Sequence, residues 1–320
     1  MRARGPAPII WRGEGCSQIG SEPGLAHVLE GLSAGEQRFL EQLRAADEPG
    51  WVARAARVAG IEKNDAERLV ALLTEVGALT HAPAPHTADE RYWDLLSDAP
   101  RERSTRLRGA VVGLVGSGAP ALEIAGLLEE AGVGTVLPQD APLAAWLEEN
   151  RPRLRVRAPA GTVPDLVISL EAHVVDPVRA RSLAQAGTQH LPVVVREASI
   201  RVGPTLGPGA PVCAICLDLA ERDADPAWPA VATQLRLTPA PPTERLLLHQ
   251  AAALATRAGL DALLGEAWWA RSVELSGRDA VGLERRWTPH PECLCSSRLD
   301  GAAQSPHSKQ DESRDLAPAQ

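Results

Sequence analysis

An α/β protein in two parts is what this chain predicts: a small domain of short strands and helices, then a doubly wound, mostly parallel sheet. Three observations carry the prediction. Residues 1–82 alternate short β-rich runs with three brief amphipathic helical patterns. From residue 109 onward, strands and helices alternate through a glycine-rich turn. Two close cysteine pairs, Cys213/Cys216 and Cys293/Cys295, fall in the later part of that second region.

In the small domain, Ala7–Trp11 is a short apolar run, Arg12–Gly15 a turn and Cys16–Gly20 a second strand. Leu25–Glu30 supplies a third. Alternation along it sends Leu25, His27 and Leu29 one way and Ala26 and Val28 the other, so both faces are partly apolar. Ser33 and Glu36 have the spacing of a capping box, which starts a helix running to about Arg44. A second helix spans Val52–Ala59 and stops at Gly60; a third spans Asp65–Val76 and stops at Gly77. A returning strand at Ala78–His81 completes a winged-helix-like domain. His81–Thr87, with two prolines, marks a boundary. Residues 83–108 are then a linker with a bridging helix at Glu90–Asp98 and a solvated, basic lead-in at Arg101–Arg108.

The second domain, 109–298, opens on the apolar strand Gly109–Val115. Gly116-Ser117-Gly118-Ala119-Pro120-Ala121 follows and fits G-x-G-x-x-G/A, with a helix whose Ala121, Ile124, Ala125 and Leu128 share one face. Such a turn lets a helix N-terminus approach a phosphate, so Gly116 and Gly118 are the cofactor-binding candidates. Asp140 stands near the place of a ribose-binding carboxylate, and reads equally as the N-cap of a helix at Ala144–Glu149. Strands at Val133–Leu137, Asp165–Leu170 and Leu191–Arg196 continue the alternation, with Asp176-Pro177 opening a helix that Gly187 closes. Asp225–Pro229 is a turn into a helix, Thr243–Leu264 a long amphipathic helix, and Val273–Leu275 with Val281–Trp287 a hairpin that returns Cys293 and Cys295 toward the first pair. Residues 299–320 are polar and expected to be disordered.

Cysteines a few residues apart grip one cation from one knuckle, and two such pairs supply the four thiolates of a tetrahedral zinc site. Two disulfides or a set of buried thiols are the other readings. Closely spaced pairs make awkward disulfides, and His290 could replace one ligand. Cys16 is a lone thiol in the small domain. A net charge of -8 gives no footprint for nucleic acid. No run of about 18 apolar residues suits a membrane span, and Pro8–Trp11 is too short for a signal-peptide core. The expected compartment is the cytoplasm. Nucleophile-elbow, His-Glu-x-x-His, Walker and kinase signatures are all missing.

The runs VGPTLGPGAPVCAICLDLAERDADPAW (from Val202), RRWTPHPECLC (from Arg285) and GLVGSGAPA (from Gly113) resemble the actinobacterial "cyclodehydratase, ThiF-like" or leader-peptide-binding proteins of thiazole/oxazole-modified peptide biosynthesis. The resemblance spans roughly residues 7–296. It implies a ThiF-like second domain with a four-cysteine zinc site and a leader-binding small domain. Its expected partners are the leader region of a ribosomal precursor peptide and an ATP-using YcaO-type cyclodehydratase; a homodimer is compatible. In the family the leader is captured as an added strand between the third strand and the third helix. Here that implicates Leu25, His27, Val28, Leu29, Arg68, Leu69 and Leu72.

Adenylating members of the ThiF-like superfamily use an acidic strand end, a Ser-Asn-x-x-Arg segment and a lysine near the triphosphate. Here Val136–Asp140 stands at the strand end and no Ser-Asn-x-x-Arg follows. Of 33 basic residues only Lys63 and Lys309 are lysines, so the second domain has none. Phosphate charge is left without its usual partners. The expectation is a non-catalytic scaffold with structural zinc and no ATP chemistry. An active adenylating enzyme and a nicotinamide-dependent oxidoreductase are the alternatives, separable by pyrophosphate exchange and nucleotide titration.

Overall fold

The computed structural model describes residues 1–5, 7–45, 48–96 and 99–295. The expected tail, 299–320, lies outside them. The chain divides into two compact units, Met1–Thr105 and Arg106–Gln320.

Unit one contains β1 (Arg2–Ala3), β2 (Ile9–Gly13), β3 (Cys16–Ile19), β4 (His27–Leu29), α1 (Ala34–Glu41), a 3-10 turn (Gln42–Ala45), α2 (Trp51–Ala59), α3 (Lys63–Glu75), β5 (Leu79–Thr80) and α4 (Ala88–Leu96). β2, β3 and β4 form an antiparallel sheet in that order, and β1 pairs with β5. The capping box forms as the sequence predicts. Ser33 Oγ accepts from Glu36 N at 3.2 Å, while Glu36 Oε2 accepts from Ser33 N at 2.7 Å. Gly60 closes α2 at φ +69°, a left-handed conformation that costs glycine little.

Phe39, Leu40, Leu69, Leu73 and Leu79 are fully buried in one core, with the Phe39 and Trp51 rings 5.6 Å apart. α4 is tied to the chain start by a buried ion pair: Arg2 donates to both oxygens of Asp94 at 2.5 and 2.7 Å. That pair explains why the segment expected to be a bridge clusters with unit one. α5 (Pro100–Gly109), helical where a solvated lead-in was expected, crosses the boundary between the units.

Unit two holds β6 (Val111–Val115), α6 (Gly118–Glu130), β7 (Thr135–Pro138), α7 (Ala141–Asn150), β8 (Leu166–Ala172), α8 (Pro177–Gln185), β9 (Gln189–Val195), β10 (Ser199–Val202), α9 (Ala214–Ala224), α10 (Trp228–Leu235), α11 (Arg245–Leu264), β11 (Arg271–Ser276) and β12 (Asp279–Arg286). The seven strands run in the order β12-β11-β10-β9-β8-β6-β7. β6 to β9 are parallel, and β10 to β12 extend the sheet antiparallel. β10 is too short to stand out in the sequence. One face of the sheet packs on α6 and α11, where Leu114, Ile124, Leu128, Ile168, Leu191 and Ala255 form the main core. Gly259 lets α11 lie close to β8, since a Cβ there would sit 3.1 Å from Ile168 and 3.3 Å from Leu166. A smaller cluster, including Val194, Leu206, Leu217 and Trp287, contains Cys216 and Cys293.

Candidate metal centre and peptide groove

The β11–β12 hairpin carries the chain back to Cys293 and Cys295, while Cys213 is the N-cap of α9 and Cys216 lies in its first turn. All four sulfurs fall within 4.8 Å of one another. Cys213 Sγ is 3.9 Å from Cys216 and 3.5 Å from Cys293, and Cys216 Sγ is 3.2 Å from Cys295. Four sulfurs about 2.3 Å from one ion stand roughly 3.8 Å apart in a tetrahedron, so the cluster is close enough to hold a metal ion. Burial pushes the Cys213 thiol up to about 11. Cys295 is raised too, first by burial and then by its neighbouring thiols. Cys216 goes the other way, lowered despite its burial by the backbone N–H groups and thiols that point at it, and a dication would stabilise all four thiolates together.

His290 is not a fourth-ligand substitute. Its Nε2 lies 2.9 Å from Asp223 Oδ2, and its Nδ1 accepts from Glu292 N at 3.1 Å. With both ring nitrogens engaged, the residue contributes through its backbone N–H, which points at Cys216 Sγ from 3.5 Å. Arg222 holds Glu292 at 2.7 Å and Asp223 at 2.8 Å, bracing the second knuckle against α9.

At the glycine-rich turn, Gly116 has φ +121° and a Cβ would stand 2.8 Å from the Leu170 side chain; Gly118 has φ +74°. Both glycines are therefore required by the turn itself, whatever binds there. Asp140 Oδ1 accepts from Leu143 N at 2.8 Å, so its carboxylate caps α7. Reading the sequence missed a buried polar chain on β8 and β9. Arg179 holds Glu171 at 2.6 Å, Ser169 Oγ lies 2.7 Å from Glu171 Oε1, and His190 Nε2 lies 2.6 Å from Ser169 Oγ. Its one trace is the pair Glu171 and His190, polar residues inside apolar strands.

In unit one, β4 ends the three-stranded sheet, and among the described residues no strand pairs with its outer edge. A cavity of about 330 Å³ is lined by Ile19, Leu25, His27, Val76, Gly77 and Ala78, with Arg4 and Glu22 adding charge. Of the residues named for the groove, Leu25 and His27 reach this cavity, and Val28 is exposed. The strand is shorter than expected, and the other residues named for the groove stand at different depths. The strand covers only His27–Leu29, with Leu25 in the turn before it. Leu69 is completely buried and Leu29 nearly so, because the inward face of α3 and the strand must fill the core. Leu72 packs partly buried against that core, and Arg68 engages the Glu36 carboxylate.

No family model and no curated protein matches this chain. Solved structures do. E. coli MccB with selenomethionine MccA shares 13% identity at a TM-score of 0.64, over 92% of this chain and 98% of that one. Microcin C7 biosynthetic enzyme MccB in complex with N-formylated MccA gives 12%, 0.62, 92% and 99%. A heterocyclase in complex with substrate and cofactor gives 14%, 0.65 and 92%, but only 39% of its own chain is covered. Identities this low establish the fold alone, and the mixed α/β architecture with its seven-stranded sheet fits the ThiF-like fold. Among the described residues no helix is long and apolar enough to cross a membrane.

Proposed function

We propose that this chain is the leader-recognition subunit of an azole-forming, peptide-modifying system. Its winged-helix-like unit captures the leader of a ribosomal precursor peptide as a strand added to β4 and brings it to a YcaO-type cyclodehydratase. The observation that carries the reading is the open edge of β4 beside the Leu25/His27 cavity. Such an edge offers backbone hydrogen bonds, and the cavity accepts alternate side chains of an extended peptide. In this reading Val28, on β4, and Arg68 and Leu72, on α3, are the further contacts offered to the leader.

Structural zinc is the metal of this proposal, held by Cys213, Cys216, Cys293 and Cys295 with no position left for water. A thiolate site of this kind favours a reducing cytoplasm. The nucleotide turn is treated as architectural: its glycines serve the Leu170 contact, Asp140 caps a helix, and the unit has no lysine among its described residues. The solved neighbours support the reading at the level their names allow, since MccB is seen with MccA and the heterocyclase with a substrate. Most of that heterocyclase has no counterpart in this chain, which suits a separate partner enzyme.

The test is hydrogen exchange on the full chain with and without the leader of a precursor encoded beside it. Saturable binding with new protection at β4 and α3 is expected. Protection confined to residues 106–295, or no binding, would refute the assignment.

A further inference from the structure

Between α9 and α11 the chain passes from one face of the seven-stranded sheet to the other. Leu217 of α9 packs with Val194 in the smaller cluster, whereas Leu247 and Ala251 of α11 pack with Leu191 and Val193 in the main core. α10 stays with α9: Trp228 Nε1 donates to Asp218 at 3.3 Å, and Arg236 reaches the same carboxylate at 3.2 Å. Residues 237–243 therefore make the crossing. Leu237 is 86% exposed, Pro239, Ala240 and Pro242 are exposed too, and no residue of this strap belongs to a core cluster. Past the turn that ends α10, a single hydrogen bond among the described residues ties the strap to another element, with the Pro239 carbonyl 3.1 Å from His173 Nε2.

His173 directly follows β8, at the C-terminal ends of the parallel strands, the end at which open α/β sheets present ligand sites. Its backbone sits at φ +61°, uncommon for a residue other than glycine. Two hydrogen bonds fix it there: its N–H donates to Val195 O at 2.8 Å, and its carbonyl accepts from Arg196 Nε at 3.3 Å. The ring is buried, with Nδ1 3.2 Å from Glu197 Oε1. A carbonyl and a carboxylate can only accept, and a neutral imidazole carries one N–H. The imidazolium alone donates to both.

We propose that His173 is a proton-dependent latch: as imidazolium it holds the strap across the C-terminal ends of β8 and β9, and on losing a proton it lets the strap go. With one proton left, the ionised Glu197 is the stronger acceptor, since hydrogen bonds to a charged group are about twice as strong as neutral ones. The ring then keeps Nδ1–H, Nε2 is bare, and Pro239 loses its donor. Charged residues on the adjoining segments are engaged elsewhere: Arg196 with Glu274 at 3.8 Å, Glu171 with Arg179 at 2.6 Å, and Arg236 with Asp218. Asp176 caps α8 and Glu244 caps α11, so Glu197 is the carboxylate that sets the ring's tautomer. Leu170 of β8 lies against Gly116, so the end that the strap uncovers is the one the glycine-rich turn borders.

Hydrogen exchange on the full chain, expressed as protection so that the intrinsic effect of pH is removed, tests the latch at about pH 5.5 and about pH 8, either side of an ordinary histidine. Protection of the strap should fall roughly fivefold or more as pH rises, while β8 and β9 keep theirs. Glu197→Gln replaces the carboxylate with an amide that can donate to Nδ1 of the neutral ring, so Nε2–H stays on Pro239 and the strap should remain protected at both pH values. Glu197 is 72% exposed, so this variant should keep the fold. His173→Gln supplies a donor that cannot titrate and should flatten the response as well. Strap protection in the wild type that does not change with pH, or a full pH response in Glu197→Gln, would overturn the proposal.

Discussion

Acidification should weaken unit two through His190, and the geometry fixes the sign of the effect. A carboxylate can only accept, so Ser169 donates to Glu171 and its oxygen accepts from His190 Nε2–H. Nδ1 is then bare and buried, with no hydrogen-bond partner among the described residues. Protonating it would bury a cation with nothing to accept the new proton, and the Arg179 guanidinium on Glu171 adds repulsion. Burial first, and Arg179 second, hold the imidazole down at about 4, against 6.5 in an unfolded chain.

The unfolded chain therefore binds more protons between about pH 6.5 and 4, and stability falls as pH falls through that window. At about 1.4 kcal/mol per tenfold in proton affinity, the full loss is about 3 kcal/mol, of which about 2 is spent by pH 5. Urea unfolding of the wild type and of His190→Gln, followed from pH 7.5 to 5, isolates this contribution as the difference in slope. NMR titration of the ring checks it directly. A ring that titrates near 6.5, or an acid loss of equal size in His190→Gln, would refute the reasoning.

Other outcomes follow from the same contacts. Replacing Cys216 or Cys293 with Ser should lower bound zinc well below one per chain and destabilise unit two, as metal analysis and thermal melts would read, because metal binding there is coupled to folding. Calorimetry and pyrophosphate exchange should detect neither tight ATP binding nor peptide adenylation; micromolar affinity would reverse that reading. Leu69→Ala should cost about 2–5 kcal/mol and compromise unit one as a whole. Val28→Pro and Arg68→Ala should instead weaken leader binding at a smaller cost in stability, about 1 kcal/mol, since the Val28 and Arg68 side chains are exposed. Equal stability losses in all three variants would remove the distinction between core and groove.

Local chemistry made much of this protein legible in its sequence. The Ser33/Glu36 box, the Gly60 stop, the caps at Asp140 and Asp176, and the strand-turn-helix at Gly116 are each satisfied within a few residues. The closeness of each cysteine pair was equally readable, because a knuckle is a local object. Tertiary structure decided what depended on distant partners. Leu69 and Leu72 share a helix and a chemistry, yet the surrounding core buries one completely and leaves the other at its margin. Arg2 and Asp94 meet across most of unit one, Gly259 is explained only by β8, and His190 is held neutral because the fold buries it and brings Arg179 near. Helical period and turn propensity act over one or two turns of chain, whereas burial and convergence are set by whichever elements the whole fold brings together.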